Sequence, residues 1–386
     1  MQAAATRIRE SAALRQTLRI GILGTRGIPN HYGGFEQFAE KFGQMMAARG
    51  HEVYVYCSAN HPYQEPEYEG VRLIHCIDPE TWMGTAGQFL YDLACVRDTR
   101  KRDFDILLQL GYTSSSIWSW LMPEDAFIVT NMDGLEWKRS KYNRATQRFL
   151  RKAEQWAVQC SDALIADSPA IADYLQERYQ RASVYIPYGA TLYEPGPAAA
   201  ALIRPYTPAA YGYDLLVARF EPENSIRKVL QAYARHPDRQ LVLVGNHQAT
   251  PFGRTCFREF GSRKNLNFIG AIYEEATLNA LRYYSRLYLH GHSVGGTNPS
   301  LLEAMACHAL IAAHDNPFNR AVLRDTAFYF SESEDLEHII SETPDKSYYQ
   351  PWLQQNRERI LSDYNWNTIV EQLELQFRTW AGTLHI

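Results

Sequence analysis

The sequence predicts an α/β fold built from two doubly wound, Rossmann-like domains in tandem. Three observations carry that prediction. Short apolar runs alternate with helical patterns from the first strand to the last, the signature of parallel strands joined by crossover helices. The alternation breaks once, after Gly189, at "ATLYEPGPAAAALIRPYTPAAYG", which has four prolines and no periodicity. The length, 386 residues, also exceeds what one hydrophobic core usually organises.

The strand candidates of the first half are "LRIGILG", "EVYVYC", "VRLIHCI", "DILLQL", "AFIVTN", "ALIADS" and "SVYIPYG". Between the first two, Phe35, Phe38, Phe42, Met45 and Met46 recur at helical spacing and form a sheet-facing core stripe. The second half repeats the scheme with "YDLLVAR", "QLVLVGN", "NLNFIGA", "RLYLHGH" and "LIAAHD". These readings divide the chain into a first domain over 1–190, with residues 1–16 as a mobile tail, a linker over 191–212 and a second domain over 213–364. The final stretch, 365–386, contains "NWNTIVEQLELQFRTW", a helix long enough to pack back on the first domain.

Composition narrows the function classes. Apolar residues make up 46% and charged residues 21%, a globular balance, and the formal net charge of -4 argues against nucleic acid as the main partner. The six cysteines, at 57, 76, 95, 160, 256 and 307, form no CxxC pair and several sit in apolar runs, which suits a reduced, buried, cytoplasmic setting. The opening "MQAAATRIRESAALRQ" has no continuous apolar core, and no segment reaches a membrane span. Its stretch "RIRESAALR" suits either an anionic membrane surface or solvent.

In such sheets ligands lie beyond the carboxyl ends of strands, so unusual strand-to-helix loops mark the candidate site. The first is "GILGTRGIPNHYGGFE", Gly21 to Glu36. Its early glycines are spaced GxxGxxG, which removes the dinucleotide fingerprint and with it a nicotinamide dehydrogenase. Gly33 and Gly34, just before a helix, either let backbone amides approach a phosphate or make a tight turn. The second loop, "TNMDGLEWKRSKYN", gathers Asp133, Glu136, Trp137, Arg139 and Lys141. Aromatic and polar groups there suit a hydroxylated ligand, with Asp133 at the strand's mouth as a base or orienting group. Glu136, Arg139 and Lys141 fit a solvated surface equally well.

The third loop is "HGHSVGGTNPSLLEAMAC", His290 to Cys307. With Asn298 or Thr297 as N-cap, Pro299 falls at N1 and Ser300 and Leu301 offer first-turn donors to an anion. Glu303, one turn in, either reaches a ribose diol or partners the backbone. In "VARFEPENSIRK", Arg219 ends a strand and either clamps a diphosphate or pairs with Glu221 or Glu223. "DFD", Asp103 to Asp105, lies at the amino end of its strand, and His290 with His292 lacks further ligands, so no obligatory metal is expected.

In combination these stretches resemble the GT-B-fold glycosyltransferases of family 4. "GTRGIPNHYGGFEQFAE", "TNMDGLEWKRSKYN", "IADS", "YIPYGA" and "HSVGGTNPSLLEAMAC" look like its bacterial rhamnosyltransferase subgroup, over nearly the whole chain after residue 17. The resemblance implies two domains facing across a cleft, a retaining transfer, and a nucleotide sugar, dTDP-rhamnose, as donor, with no obligatory cofactor. It also implies roles by position. Glu303 matches the second carboxylate of the family's late motif, which binds the donor ribose, whereas Gly295 stands where the first would be. Arg219 matches the arginine of the diphosphate clamp, and its lysine partner falls on Asn224. Asp133 takes the place of a histidine near the reacting centre. Arg219, Asn224 and the amides around Gly295, Gly296, Thr297 and Asn298 would then hold the diphosphate, and the first domain would present a lipid-linked glycan acceptor, with transient contact at the inner membrane face. A nucleotide-sugar epimerase or phosphorylase, or a non-catalytic nucleotide-sugar-binding protein, is the competing expectation.

Overall fold

A computed structural model of the protein describes residues 17–139, 142–207, 209–343 and 345–383. The tail expected over 1–16 and the candidate Lys141 lie outside them. The chain separates into two compact units, one of Met1–Trp137, Arg144–Pro187 and Trp366–Ile386, the other of Lys138–Asn143 and Tyr188–Asn365.

The first unit is built on an eight-stranded sheet of β1 (Arg19–Leu23), β2 (Glu52–Ser58), β3 (Glu67–Tyr68), β4 (Val71–Cys76), β5 (Ile106–Leu110), β6 (Phe127–Asn131), β7 (Ala163–Ala166) and β8 (Val184–Tyr185). The order is β3-β4-β2-β1-β5-β6-β7-β8. Every pairing is parallel except that of β3 with β4, a short antiparallel edge that apolar patterning had not marked. Ile20, Ile22, Val55, Leu107 and Leu108 are fully buried, as expected of strands covered on both faces.

The helix Gly34–Ala48 follows β1 and buries Phe38, Phe42 and Met46. Part of that stripe faces a helix rather than the sheet. Trp366 packs against Phe38 and Phe377 against Phe42, each with ring centroids 5.8 Å apart. Both come from the terminal helix Trp366–Thr383, whose Glu374 also accepts from Arg49 at 2.8 Å. The terminal helix is therefore part of the first unit.

The second unit has β9 (Asp214–Val217), β10 (Leu241–Val244), β11 (Leu266–Gly270), β12 (Leu287–His290), β13 (Ile311–His314) and β14 (Phe328–Phe330), in the order β11-β10-β9-β12-β13-β14. All neighbours run parallel. At the amino end of β9 the buried carboxylate of Asp214 receives Nε of Arg286 at 2.8 Å and the hydroxyl of Tyr233 at 2.6 Å, so the charge is matched where it is desolvated.

The segment 191–212 is not a free connection. The amide of Tyr193 donates to the carbonyl of Ala306 at 3.2 Å, that of Tyr211 to Tyr284 at 2.7 Å, and a short helix, Ala199–Leu202, forms within it. Its backbone is anchored on the second unit. Among the described residues no helix is long and apolar enough to cross a membrane. The six cysteines are unbridged, and all but Cys160 are buried.

Strand order fixes where a ligand can sit. In the first unit the chain moves from β1 outward to β2 and later returns to β5 on the other side. In the second unit it leaves β9 for β10 and returns to β12. Each pair is a topological switch point, where the following loops diverge and open a crevice at the carboxyl end of the sheet.

Candidate functional site

The switch point of the second unit brings together the loops after β9 and β12. Ser293 donates to the carbonyl of Glu223 from its amide at 3.0 Å and from its hydroxyl at 2.7 Å. Gly291 permits the approach, since a Cβ there would lie 2.1 Å from the carbonyl oxygen of Asn224. Two loops distant in sequence thus form one wall.

Arg219 stands at the head of this wall, exposed, and among the described residues its guanidinium pairs with neither Glu221 nor Glu223. Glu223 instead receives Arg139, at 3.3 Å, with the carboxylate almost wholly buried. Its Oε2 is sealed from solvent and has no donor among the described residues. Arg139, expected beside the acceptor, therefore belongs to the second unit. Asn224, expected to face the diphosphate, does not: it is buried, and its amide donates to the carbonyl of Arg219 at 2.8 Å. The short turn Pro222–Asn224 closes on itself, so that side chain shapes the Arg219 backbone.

The loop after β12 carries the remaining donors. Gly295 has φ +129, a conformation side chains rarely adopt. The amides of Gly295, Gly296 and Asn298 donate to nothing among the described residues. Asn298 is the N-cap of the helix Pro299–Ala306, with Pro299 in the first turn. Two expected donors are consumed, because the Ser300 amide goes to Asn298 Oδ1 at 3.0 Å and the Leu301 amide to the Asn298 carbonyl at 3.0 Å. The amides left without an acceptor among the described residues therefore precede the helix instead of opening it. The Thr297 side chain is buried.

Glu303 faces a cation that sequence spacing did not reveal. Arg282, 3% exposed, donates to its Oε2, and Tyr288 bonds Ser300 Oγ at 2.7 Å beside the pair. Glu303 is thus at least partly structural.

Beneath the loop, His290 and His292 stack with centroids 4.4 Å apart. Neither ring nitrogen of His290, nor Nδ1 of His292, has a partner among the described residues. Desolvation, then His292 and His314, push His290 well below the usual histidine range. Burial, then the charges of Arg219 and Arg139, push His292 down to about 3. Both rings are neutral at pH 7. Asn316 and Asn319 donate to the His292 carbonyl at 3.0 and 3.1 Å, fixing the strand end.

The first unit holds the other candidates. The glycines its loop needs are Gly24 and Gly27, at φ +88 and +121; a Cβ on Gly24 would lie 2.1 Å from the Leu110 carbonyl oxygen, one on Gly27 2.9 Å from Cys57. Gly33 is extended, with φ -173, and open to a side chain, so its backbone makes no special demand for glycine. Gly34 opens the helix, and Glu36 in the same first turn accepts the Arg26 amide at 2.8 Å. That carboxylate already complements the helix end, which disfavours an anion at Gly33 and Gly34.

Asp133 follows β6, half-buried, before Gly134 at φ +60. Glu136 lies in the turn Glu136–Lys138. Trp137 is committed to packing: its indole donates to Glu154 at 3.2 Å and Arg151 lies 4.1 Å from its ring. Glu154, which sequence reading passed over within a helical stretch, is buried and also accepts from Tyr112, Tyr174 and Tyr179 at 3.2, 2.6 and 2.6 Å. Satisfied fourfold, it braces the loop bearing Asp133.

Comparison with known proteins bears on the architecture. Residues 212–343 match the family described as Glycosyl transferases group 1, and residues 17–191 match a domain of unknown function, DUF1972. No curated protein matches the sequence. Among solved structures, sucrose-phosphate synthase from Thermosynechococcus elongatus superposes with TM-score 0.78 at 18% identity, covering 94% of this chain and 98% of that one. Anabaena HepE in complex with UDP and glucose gives 0.73 at 16%, covering 93% and 99%. The α,α-trehalose 6-phosphate synthase from Burkholderia multivorans gives 0.66 at 12%, covering 96% and 98%. The fold is GT-B, and with the group 1 match over the second unit it supports a glycosyltransferase of GT-B type.

Proposed function

We propose that the protein transfers a sugar, L-rhamnose from dTDP-rhamnose, to a hydroxyl of a lipid-linked glycan with retention of configuration. The setting is surface-polysaccharide synthesis at the inner face of the bacterial cytoplasmic membrane. One observation carries the transferase reading: at the second unit's switch point an exposed Arg219 without an ion-pair partner shares a wall with amides of Gly295, Gly296 and Asn298 that donate to nothing among the described residues. A diphosphate is the anion that set suits. The description of HepE in complex with UDP-glucose supports a nucleotide-sugar donor without choosing the base. Rhamnose, thymidine and the lipid-linked acceptor rest on the resemblance of the quoted stretches.

As the bond from sugar to phosphate breaks, negative charge grows on the departing diphosphate. The loop amides are tied to the wall by the Ser293–Glu223 bonds and need not reorganise, and Arg219 adds a full positive charge from the same wall, so together they stabilise that growing charge more than the bound donor. Asn224 supports the Arg219 backbone from behind. Glu303, charge-matched by Arg282, offers its remaining acceptor capacity to a ribose diol. On the first unit, Asp133 orients the acceptor hydroxyl with Glu136 nearby, and the departing phosphate takes the acceptor proton.

A thermal-shift screen of dTDP-rhamnose, UDP-glucose and GDP-mannose tests the donor. A ligand at 100 times its Kd stabilises the folded state by about 2.7 kcal/mol, so dTDP-rhamnose should raise the midpoint most. A flat response to all three would remove the nucleotide-sugar reading.

A further inference from the structure

The second unit places one more cation at the site than a single clamp needs. Arg139 is held 3.3 Å from Glu223, three residues before the helix that begins at Ile226. Glu223 follows Arg219 by four positions, and its carbonyl is tied to Ser293, next to His292. Both guanidiniums act electrostatically on His292, which is neutral and offers neither of them a counter-charge. The neighbourhood therefore holds two cations, Arg139 and Arg219, against one buried carboxylate whose second oxygen has no donor among the described residues. Three unpartnered loop amides add further positive potential. With a net positive charge and several donors along one wall, the cluster suits an anion that offers several acceptor oxygens.

We propose that Arg139 is a second diphosphate-binding cation of the donor site, positioned by Glu223, and not an acceptor contact. Glu223 holds the guanidinium at the wall, so less side-chain entropy is lost when the diphosphate binds. Asn224 cannot supply that charge, because its side chain is neutral, buried and bonded to the Arg219 carbonyl. The inference rests on the nucleotide-sugar reading above.

Isothermal titration of the full chain with dTDP, UDP, dTMP and UMP tests it, using wild type, Arg139→Gln, Arg139→Lys, Glu223→Gln and Arg219→Gln, with thermal midpoints as the check on folding. Arg139→Gln should weaken the preferred diphosphate about tenfold or more, the worth of a charge-assisted hydrogen bond, and the matching monophosphate much less. Arg139→Lys should recover part of the loss, and Glu223→Gln should weaken the diphosphate by a smaller factor. Diphosphate affinity unchanged in Arg139→Gln but lost in Arg219→Gln overturns the inference and leaves the donor reading standing. Equal weakening of mono- and diphosphates overturns it too, as the mark of a merely structural residue. A wild type that binds neither diphosphate sinks the donor reading, and the inference with it.

Discussion

Ser293 grips the carbonyl of Glu223 twice, through its amide at 3.0 Å and its hydroxyl at 2.7 Å, and so locks the loop after β12 to the loop after β9. Ser293→Ala removes the shorter bond and keeps the other. The loss in stability should be about 1 kcal/mol, measured by urea denaturation, with a several-fold rise in Kd for the nucleotide as the wall loosens.

Arg219 makes no ion pair among the described residues and is exposed, so its loss should not disturb the fold. Arg219→Ala should lower turnover by about 10²–10³, the usual cost of removing one preorganised charge-stabilising donor, with an unchanged thermal midpoint. Near-normal release of nucleoside diphosphate by that variant would remove the clamp role.

Glu303 has two duties that can be separated. Glu303→Gln leaves Arg282 buried without a counter-charge, which should cost about 3 kcal/mol of stability. Nucleotide affinity, measured where the variant is still folded, then reports any ribose contact. An unchanged denaturation midpoint would show that Arg282 does not depend on Glu303.

Acid should destabilise the fold through the stacked histidines. His290 is fully buried and its folded pKa lies well below the unfolded value, about 6.5. Below that pH the unfolded chain binds a proton that the folded chain refuses, so stability is complete at neutral pH and falls as pH drops through about 6.5. Each such histidine contributes up to about 1.4 kcal/mol per pH unit. The urea midpoint should fall between pH 7.5 and 5.5, and His290→Asn should make the fall shallower. A midpoint equal at both values would contradict the neutral, buried assignment.

Gly291 is a packing glycine. Gly291→Ala would drive a Cβ to 2.1 Å from the Asn224 carbonyl, a backbone atom that cannot rotate away. A loss of about 2–3 kcal/mol is expected, together with weaker nucleotide binding, since the displaced turn is bonded to the Arg219 carbonyl through Asn224.

What could be read from the sequence was local. Twelve expected strands form because their residues are apolar in runs of the right length, and Asn298 caps its helix because Pro299 follows it. Strands β3 and β14, two and three residues long, were not among them. The errors at the site are non-local. Ser300 and Leu301 looked like free donors, yet the cap consumes both amides. Asn224 looked like a ligand contact until the turn folded its amide onto Arg219. Arg139 sits in a first-half motif but joins Glu223, 84 positions away. Glu303 showed no cation at helical spacing because Arg282 comes from another helix. Nothing in local pattern or periodicity encodes such partners.

The most direct test is a reaction of the full chain with dTDP-rhamnose and a lipid-linked glycan, following dTDP release and product mass together. Transfer predicts acceptor-dependent dTDP release matched one for one by a product heavier by a deoxyhexose residue. Conversion of the donor in the absence of acceptor, or binding with no product across a panel of donors and acceptors, would contradict it.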